Sequence, residues 1–235
     1  YTVTGQETFI GTSGTAATGS CTGEQCNQAR AKCSCECDCG GTDTNNIWFR
    51  TTTGIGKDSV KAWTTGDGAT NDVGCRNVRK DGCTLHYRDP RIDTWSEQKI
   101  SKVRYSIYKD GQEVAWVLFN AVDSTMDNWF DKSRVIDSSY TDLTSSAKYN
   151  FFAINDPSSV LHLVTRHWYV SNNFAGCPND DYWFVTMEGS GNCDYDNFAQ
   201  YPYILYSLKR TMANTGNQAN FGFGDVAVVR VIQEM

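Results

Sequence analysis

The sequence predicts an all-β protein, an antiparallel β-sandwich or barrel with a disulfide-rich N-terminal region. Three observations carry this. From about Ile100 onward, short runs of alternating apolar and polar residues recur between turn signals, the pattern of half-buried strands. No apolar stripe at helical spacing interrupts them. And six of the ten cysteines fall between Cys21 and Cys39, a density that suits an oxidised, secreted chain.

The sequence divides in character between residues 1–98 and residues 99–235. The first region is rich in Thr, Gly and Cys, and its readable strands are Thr2–Ile10, Ile47–Thr53 and Thr84–Arg88. Such short segments bury little, so bridges worth about 2–4 kcal/mol each are expected to supply stability. Cys75 and Cys83 sit eight apart around a Gly-containing loop, and Cys177 and Cys193 bracket an aromatic strand. Both spacings suit a local disulfide. The other six, Cys21, Cys26, Cys33, Cys35, Cys37 and Cys39, are expected to form three more bridges, within the run or to its surroundings. In a reducing compartment the alternating thiolates would instead hold zinc or copper(I). On extended chain, however, Cys33 and Cys37 face one way and Cys35 and Cys39 the other, which suits bridges better than one tetrahedral ion.

In the second region Val103, Tyr105 and Ile107 alternate with Arg104, Ser106 and Tyr108, and Asp110-Gly111 marks a hairpin. The return strand, Glu113–Asn120, is apolar on both faces and is expected to be central. Further strands read at Tyr149–Ile154, Val160–Val170, Tyr182–Glu188, Tyr203–Leu208 and Asp225–Ile232, with one helical candidate at Asp127–Ser133. The expected core includes Trp116, Phe119, Phe152, Ile154, Val164, Phe184, Ile204 and Val228.

A net charge of −6 argues against nucleic acid as a partner. The densest basic cluster, Arg76, Arg79 and Lys80, reads as a solvated hairpin tip. The longest apolar stretch, Val114–Phe119, is far too short to span a bilayer. The polar opening Tyr1-Thr2-Val3-Thr4 reads as the start of a processed chain.

Trp129-Phe130, Ser139-Tyr140-Thr141-Asp142-Leu143, Gly176-Cys177-Pro178-Asn179-Asp180, Ile204-Leu205-Tyr206-Ser207 and Gly224-Asp225-Val226-Ala227 resemble a domain of secreted proteins of aquatic invertebrates. The resemblance covers the chain from about residue 103, implies secretion, and brings no catalytic residue with it.

Candidate chemistry is sparse. A Cys177–Cys193 bridge would draw together the loops holding Asp180, Asp181, Asp194 and Asp196, hard oxygen ligands of the kind Ca²⁺ takes. An acidic, solvated loop pair is the alternative. His162, Arg166 and Trp168 are expected on one strand face as a polar–aromatic ligand patch, against the reading of half-buried structural side chains. Trp63 and Trp95 lie in polar stretches and are expected to be exposed platforms for a sugar face or a protein partner. No nucleophile elbow, His-Glu-x-x-His or Ser-x-x-Lys motif occurs. The expected function is therefore recognition: a secreted module binding carbohydrate or an extracellular protein, with Ca²⁺ as the candidate cofactor. The rivals are a secreted enzyme without a familiar motif and a structural subunit of an extracellular assembly. A homo-oligomer is compatible with each.

Overall fold

In a computed structural model of the chain, Asp110 and Gly111 both adopt left-handed backbone, with φ of 52° and 77°, and close a two-residue hairpin. Their dihedral signs suit the tight turns that match strand twist. The structure describes strands at residues 7–10 and 16–19, and residues 44–81, 83–155, 165–173, 176–198 and 200–233. Glu7–Ile10 (β1) and Ala16–Gly19 (β2) pair antiparallel within a unit ending at Asp43. The cysteines from Cys21 to Cys39 lie outside the described residues.

A second unit runs from Thr44 to Met235. Its first sheet combines Ile47–Thr52 (β3), Ala69–Thr70 (β4), His86–Arg88 (β5), Ile100–Lys109 (β6), Gln112–Asn120 (β7), Val135–Ser138 (β8) and the late strand Val226–Gln233 (β15). Their order is β4-β5-β3-β15-β6-β7-β8. The other sheet holds Phe151–Asn155 (β9), Arg166–Asn173 (β10), Asp181–Met187 (β11), Tyr203–Ser207 (β12) and Phe221–Gly224 (β14), with Ala213–Asn214 (β13) paired to β11. Because β3 and β5 pair into the same sheet as β6 and β15, contacts divide the chain at Asp43/Thr44, not at the expected 98/99.

The sheets share one aromatic-rich core. Tyr105 of β6 stacks on Trp168 of β10 at 5.5 Å and on Phe184 of β11 at 5.3 Å. Phe119, Ile154 and Ile204 are buried in the same core, and half-buried Phe152 packs against it. Five indoles meet there: Trp48, Trp63, Trp95, Trp129 and Trp168. The outward faces are covered as well. Val78 and the Cys75–Cys83 bridge cluster with Ile47, Tyr87, Tyr108, Val226 and Val228 on the first sheet. Cys193 and Tyr195 cluster with Tyr169, Tyr182, Val185, Met187, Tyr203 and Leu205 on the second. Both expected local bridges, Cys75–Cys83 and Cys177–Cys193, are formed, so each fastens a covering segment over one sheet.

Three expectations need correction. Strand β7 lies second from the sheet edge; Ala115, Val117 and Phe119 are buried in the core and Val114 packs against it. Trp116 lies half-buried on the other face, with the Arg104 guanidinium 3.9 Å from its ring centroid. Val228 also packs in an outer cluster, beside the Cys75–Cys83 segment, while Val164 lies outside the described residues. The helical candidate at Asp127–Ser133 yields only a 3₁₀ turn at Lys132–Arg134. Among the described residues the α-helix is instead Ser59–Thr65 (α1). It is too short to print a periodic stripe, but it is started by Asp58, whose side chain accepts from the N–H groups of Val60 and Lys61, and stopped by left-handed Gly66. Among the described residues, no helix is long and apolar enough to cross a membrane.

Candidate functional site

A bulge in β10 decides where the expected ligand patch goes. Its pairing with β11 slips between His167 and Val170, and Trp168 takes a left-handed φ of 48°. Arg166 and Trp168, two apart, would share a face on a regular strand. The bulge parts them. Trp168 enters the inter-sheet core against Phe49 and Tyr105, and Arg166 joins the outer cluster with Tyr182 and Tyr195. His162 lies outside the described residues. Trp63 and Trp95 are core residues rather than platforms, at 1% and 3% exposure. Their indole N–H groups donate to Met126 O and Ser124 Oγ. Polar neighbours in sequence concealed this because α1 and the 3₁₀ turn after Asp89 point one side inward and the other to water.

Arg166 brings two of the expected calcium ligands together. One guanidinium nitrogen donates to Asp196 at 2.9 and 3.1 Å and to Tyr195 Oη at 3.2 Å. The other donates to Tyr182 Oη at 2.9 Å and lies 3.7 Å from Asp180. Asp180 also accepts from the hydroxyls of Tyr182 and Tyr195 and from Gly176 N–H, and Asp196 accepts from Cys193 N–H. Arg166, Asp180 and Asp196 are 2%, 0% and 1% exposed, so these charges meet without bulk water. Burial opposes a guanidinium charge, but Tyr182, Tyr195 and Asp196 outweigh it and hold the Arg166 pKa above its usual value. Burial first, with neighbouring oxygens, also pushes the Tyr182 and Tyr195 phenols up.

One positive charge from within the chain thus offsets part of the repulsion on which the calcium expectation rests. Arg166 is the cation that Asp180 and Asp196 share. The remaining two acids point away: Asp181 accepts from exposed Asn214 at 3.0 Å, and Asp194 is exposed. Among the described residues no three His, Cys, Asp or Glu side chains are gathered to hold a metal.

An open site lies elsewhere, beside edge strand β8. A cleft of about 300 Å³ is lined by β8, by the segment from Ser139 to Ser145, and by Arg210. Hydroxyls dominate it: Ser138, Ser139, Thr141, Thr144 and Ser145, with Asp137 and Arg210 adding one charge of each sign. Its wall is firmly held. Tyr140, buried, donates its hydroxyl to Trp183 O and Ser207 O. Asp142 accepts from the Trp183 indole at 2.7 Å and from Met212 N at 3.0 Å. Thr141 donates its N–H and hydroxyl to Arg210 O, tying the Arg210 backbone to the wall. The exposed Arg210 guanidinium has no hydrogen-bond partner among the described residues, and Ile136 is 51% exposed beside it.

Sequence reasoning singled out Ser139–Leu143 only as a resemblance and missed Asp137, Ser138 and Arg210 as site residues. The available signal was the hydroxyl density of Ser138–Ser146, with six Ser or Thr in nine residues. No family model, curated protein or solved structure matches the chain.

Proposed function

We propose that the chain is a secreted recognition module that binds carbohydrate in the cleft between β8, the Ser139–Ser145 segment and Arg210. The observation that carries this reading is the charge pair of a held cleft: one carboxylate and a guanidinium with no partner among the described residues, set among hydroxyls of which Ser138, Ser139 and Thr141 already donate to backbone carbonyls. A sugar ring presents paired hydroxyls, each donor and acceptor, which carboxylate and guanidinium groups bind two at a time. Its C–H face is apolar, and exposed Ile136 offers a surface of that kind. The volume of about 300 Å³ sits at the small end of ligand sites. The two formed bridges support an oxidising compartment.

Glycan-array binding, run with and without EDTA on the wild type, Arg210→Ala and Asp137→Asn, tests this. A specific signal that falls at least about tenfold in both variants is expected, since charge-assisted hydrogen bonds contribute about 1.5–3 kcal/mol. EDTA sensitivity would bring Ca²⁺ back into the reading. No glycan above background, or full binding by both variants, would remove carbohydrate from this cleft.

A further inference from the structure

A second pocket lies on the outward face of the other sheet, at edge strand β14. Phe221 and Phe223 alternate onto that face, and Leu205 of β12 sits directly across from Phe223. Phe198 closes one side, edge-on to Phe223 at 4.7 Å between ring centroids. Tyr195 contributes its ring, while its hydroxyl is already engaged by Asp180 and Tyr182. The pocket volume is about 140 Å³. An apolar protein cavity of about 150 Å³ takes one benzene.

Thr215 supplies the chemistry that selects among rings. It lines this pocket, is 5% exposed, and its hydroxyl has no hydrogen-bond partner among the described residues. Its backbone is fixed by donation to Asp180 O at 2.9 Å, so only the side chain is free to turn. A buried hydroxyl without a partner costs about 1–3 kcal/mol. One χ1 step exchanges the hydroxyl and methyl positions of a threonine. A ligand bearing a single hydroxyl on an apolar ring would satisfy this group and bury its ring against the phenylalanines. A sugar ring would leave most of its hydroxyls unpaired there, because the Tyr195 hydroxyl is already engaged and Gln218 is the one further polar side chain of the lining.

We infer that this pocket binds a free, uncharged monocyclic phenol, with its ring between Phe198, Leu205 and Phe223 and its hydroxyl on Thr215. The site is separate from the carbohydrate cleft and stands or falls without it. Phenol and toluene have the same number of heavy atoms and differ in the one hydroxyl, so they isolate its contribution. Titration of each into the wild type and Thr215→Val, followed by calorimetry and by NMR shifts, is the test. Phenol should bind saturably, with shifts concentrated at Phe198, Phe221 and Phe223, and more tightly than toluene. Thr215→Val should weaken phenol roughly three- to tenfold, the worth of one neutral hydrogen bond, and leave toluene unchanged. Absence of saturable phenol binding, equal binding of the two rings by the wild type, or indifference of phenol to Thr215→Val would each overturn the assignment. Thr215→Val is close in shape to the native residue, and an unchanged near-UV spectrum confirms that the variant is folded.

Discussion

Ser59, the first residue of α1, donates both its backbone N–H, at 3.0 Å, and its hydroxyl to one carboxylate oxygen of Glu188, just past β11. The same hydroxyl accepts from the Trp168 indole at 3.1 Å. Burial outweighs the two Ser59 bonds and pushes the Glu188 pKa up to about 7. Nearby, His86 accepts from Thr52 N–H on Nδ1 and donates from Nε2 to Lys57 O, the pattern of a neutral ring. Burial lowers its pKa to about 4.

These two groups give stability opposite dependences on pH. Glu188, raised from 4.5, contributes fully below about pH 4.5 and loses that contribution as pH rises through about 7. His86, lowered from 6.5, contributes fully above about pH 6.5 and loses it as pH falls through about 4. Between about pH 4.5 and 6.5 the slopes oppose each other in the wild type. Glu188→Gln should leave stability rising with pH across this window, and His86→Gln should leave it falling, each by up to about 3 kcal/mol. Urea unfolding at four pH values reads the slopes. Slopes of the same sign in the two variants would refute the pairing.

Two aromatic residues of β7 should respond very differently to truncation. Phe119 is fully buried and packs on Trp129, Phe130 and Phe152, so Phe119→Ala should cost about 3–5 kcal/mol. Trp116 is half-buried beneath Arg104, so Trp116→Ala should cost less, about 1–2 kcal/mol, from the cation–π contact and the apolar area it covers. Denaturant midpoints compare them. A larger loss at Trp116 would mean that the strand is buried on both faces.

Removing Arg166 strands two buried carboxylates. Arg166→Met should destabilise by about 3–5 kcal/mol, and adding Asp180→Asn with Asp196→Asn should recover much of that loss. Millimolar Ca²⁺ and EDTA should leave the wild-type melting temperature unchanged, because the guanidinium already occupies the space between the acids. A calcium-dependent rise would show that the acids outside this centre bind the ion.

The Cys177–Cys193 bridge closes sixteen residues of chain. Replacing both cysteines with Ala should lower stability by about 3 kcal/mol, the chain-entropy value for a loop of that size. Chemical denaturation measures it. Thiol titration of the denatured, unreduced chain should find no free cysteine. Two or more would argue against an oxidising compartment.

Local signals were readable where local chemistry decides the outcome. Asp110-Gly111 demands its turn, and the alternation from Val103 to Tyr108 gives the inward face of β6. Two cysteine spacings gave their bridges. What the sequence hid depends on partners far along the chain. Whether Trp116 faces core or solvent depends on which face of β7 meets the second sheet. The bulge at Trp168 inverts a face without any marker residue. Arg166 and the two aspartates were legible as separate candidates, yet their pairing is a product of folding. The cleft joins Arg210 to hydroxyls some seventy positions earlier, a distance over which spacing carries no information.

Five of the seven tryptophans stand ring to ring within one array, delivered by β3, α1, the 3₁₀ turn, the Trp129 loop and β10. Electronic transitions of indoles at such distances mix, so their ultraviolet dichroism belongs to the array rather than to any one ring. Separating the sheets, or peeling α1 away, breaks the coupling at once. The protein therefore carries a label-free optical gauge of its own assembly, while Trp116 stands outside the array, beneath Arg104.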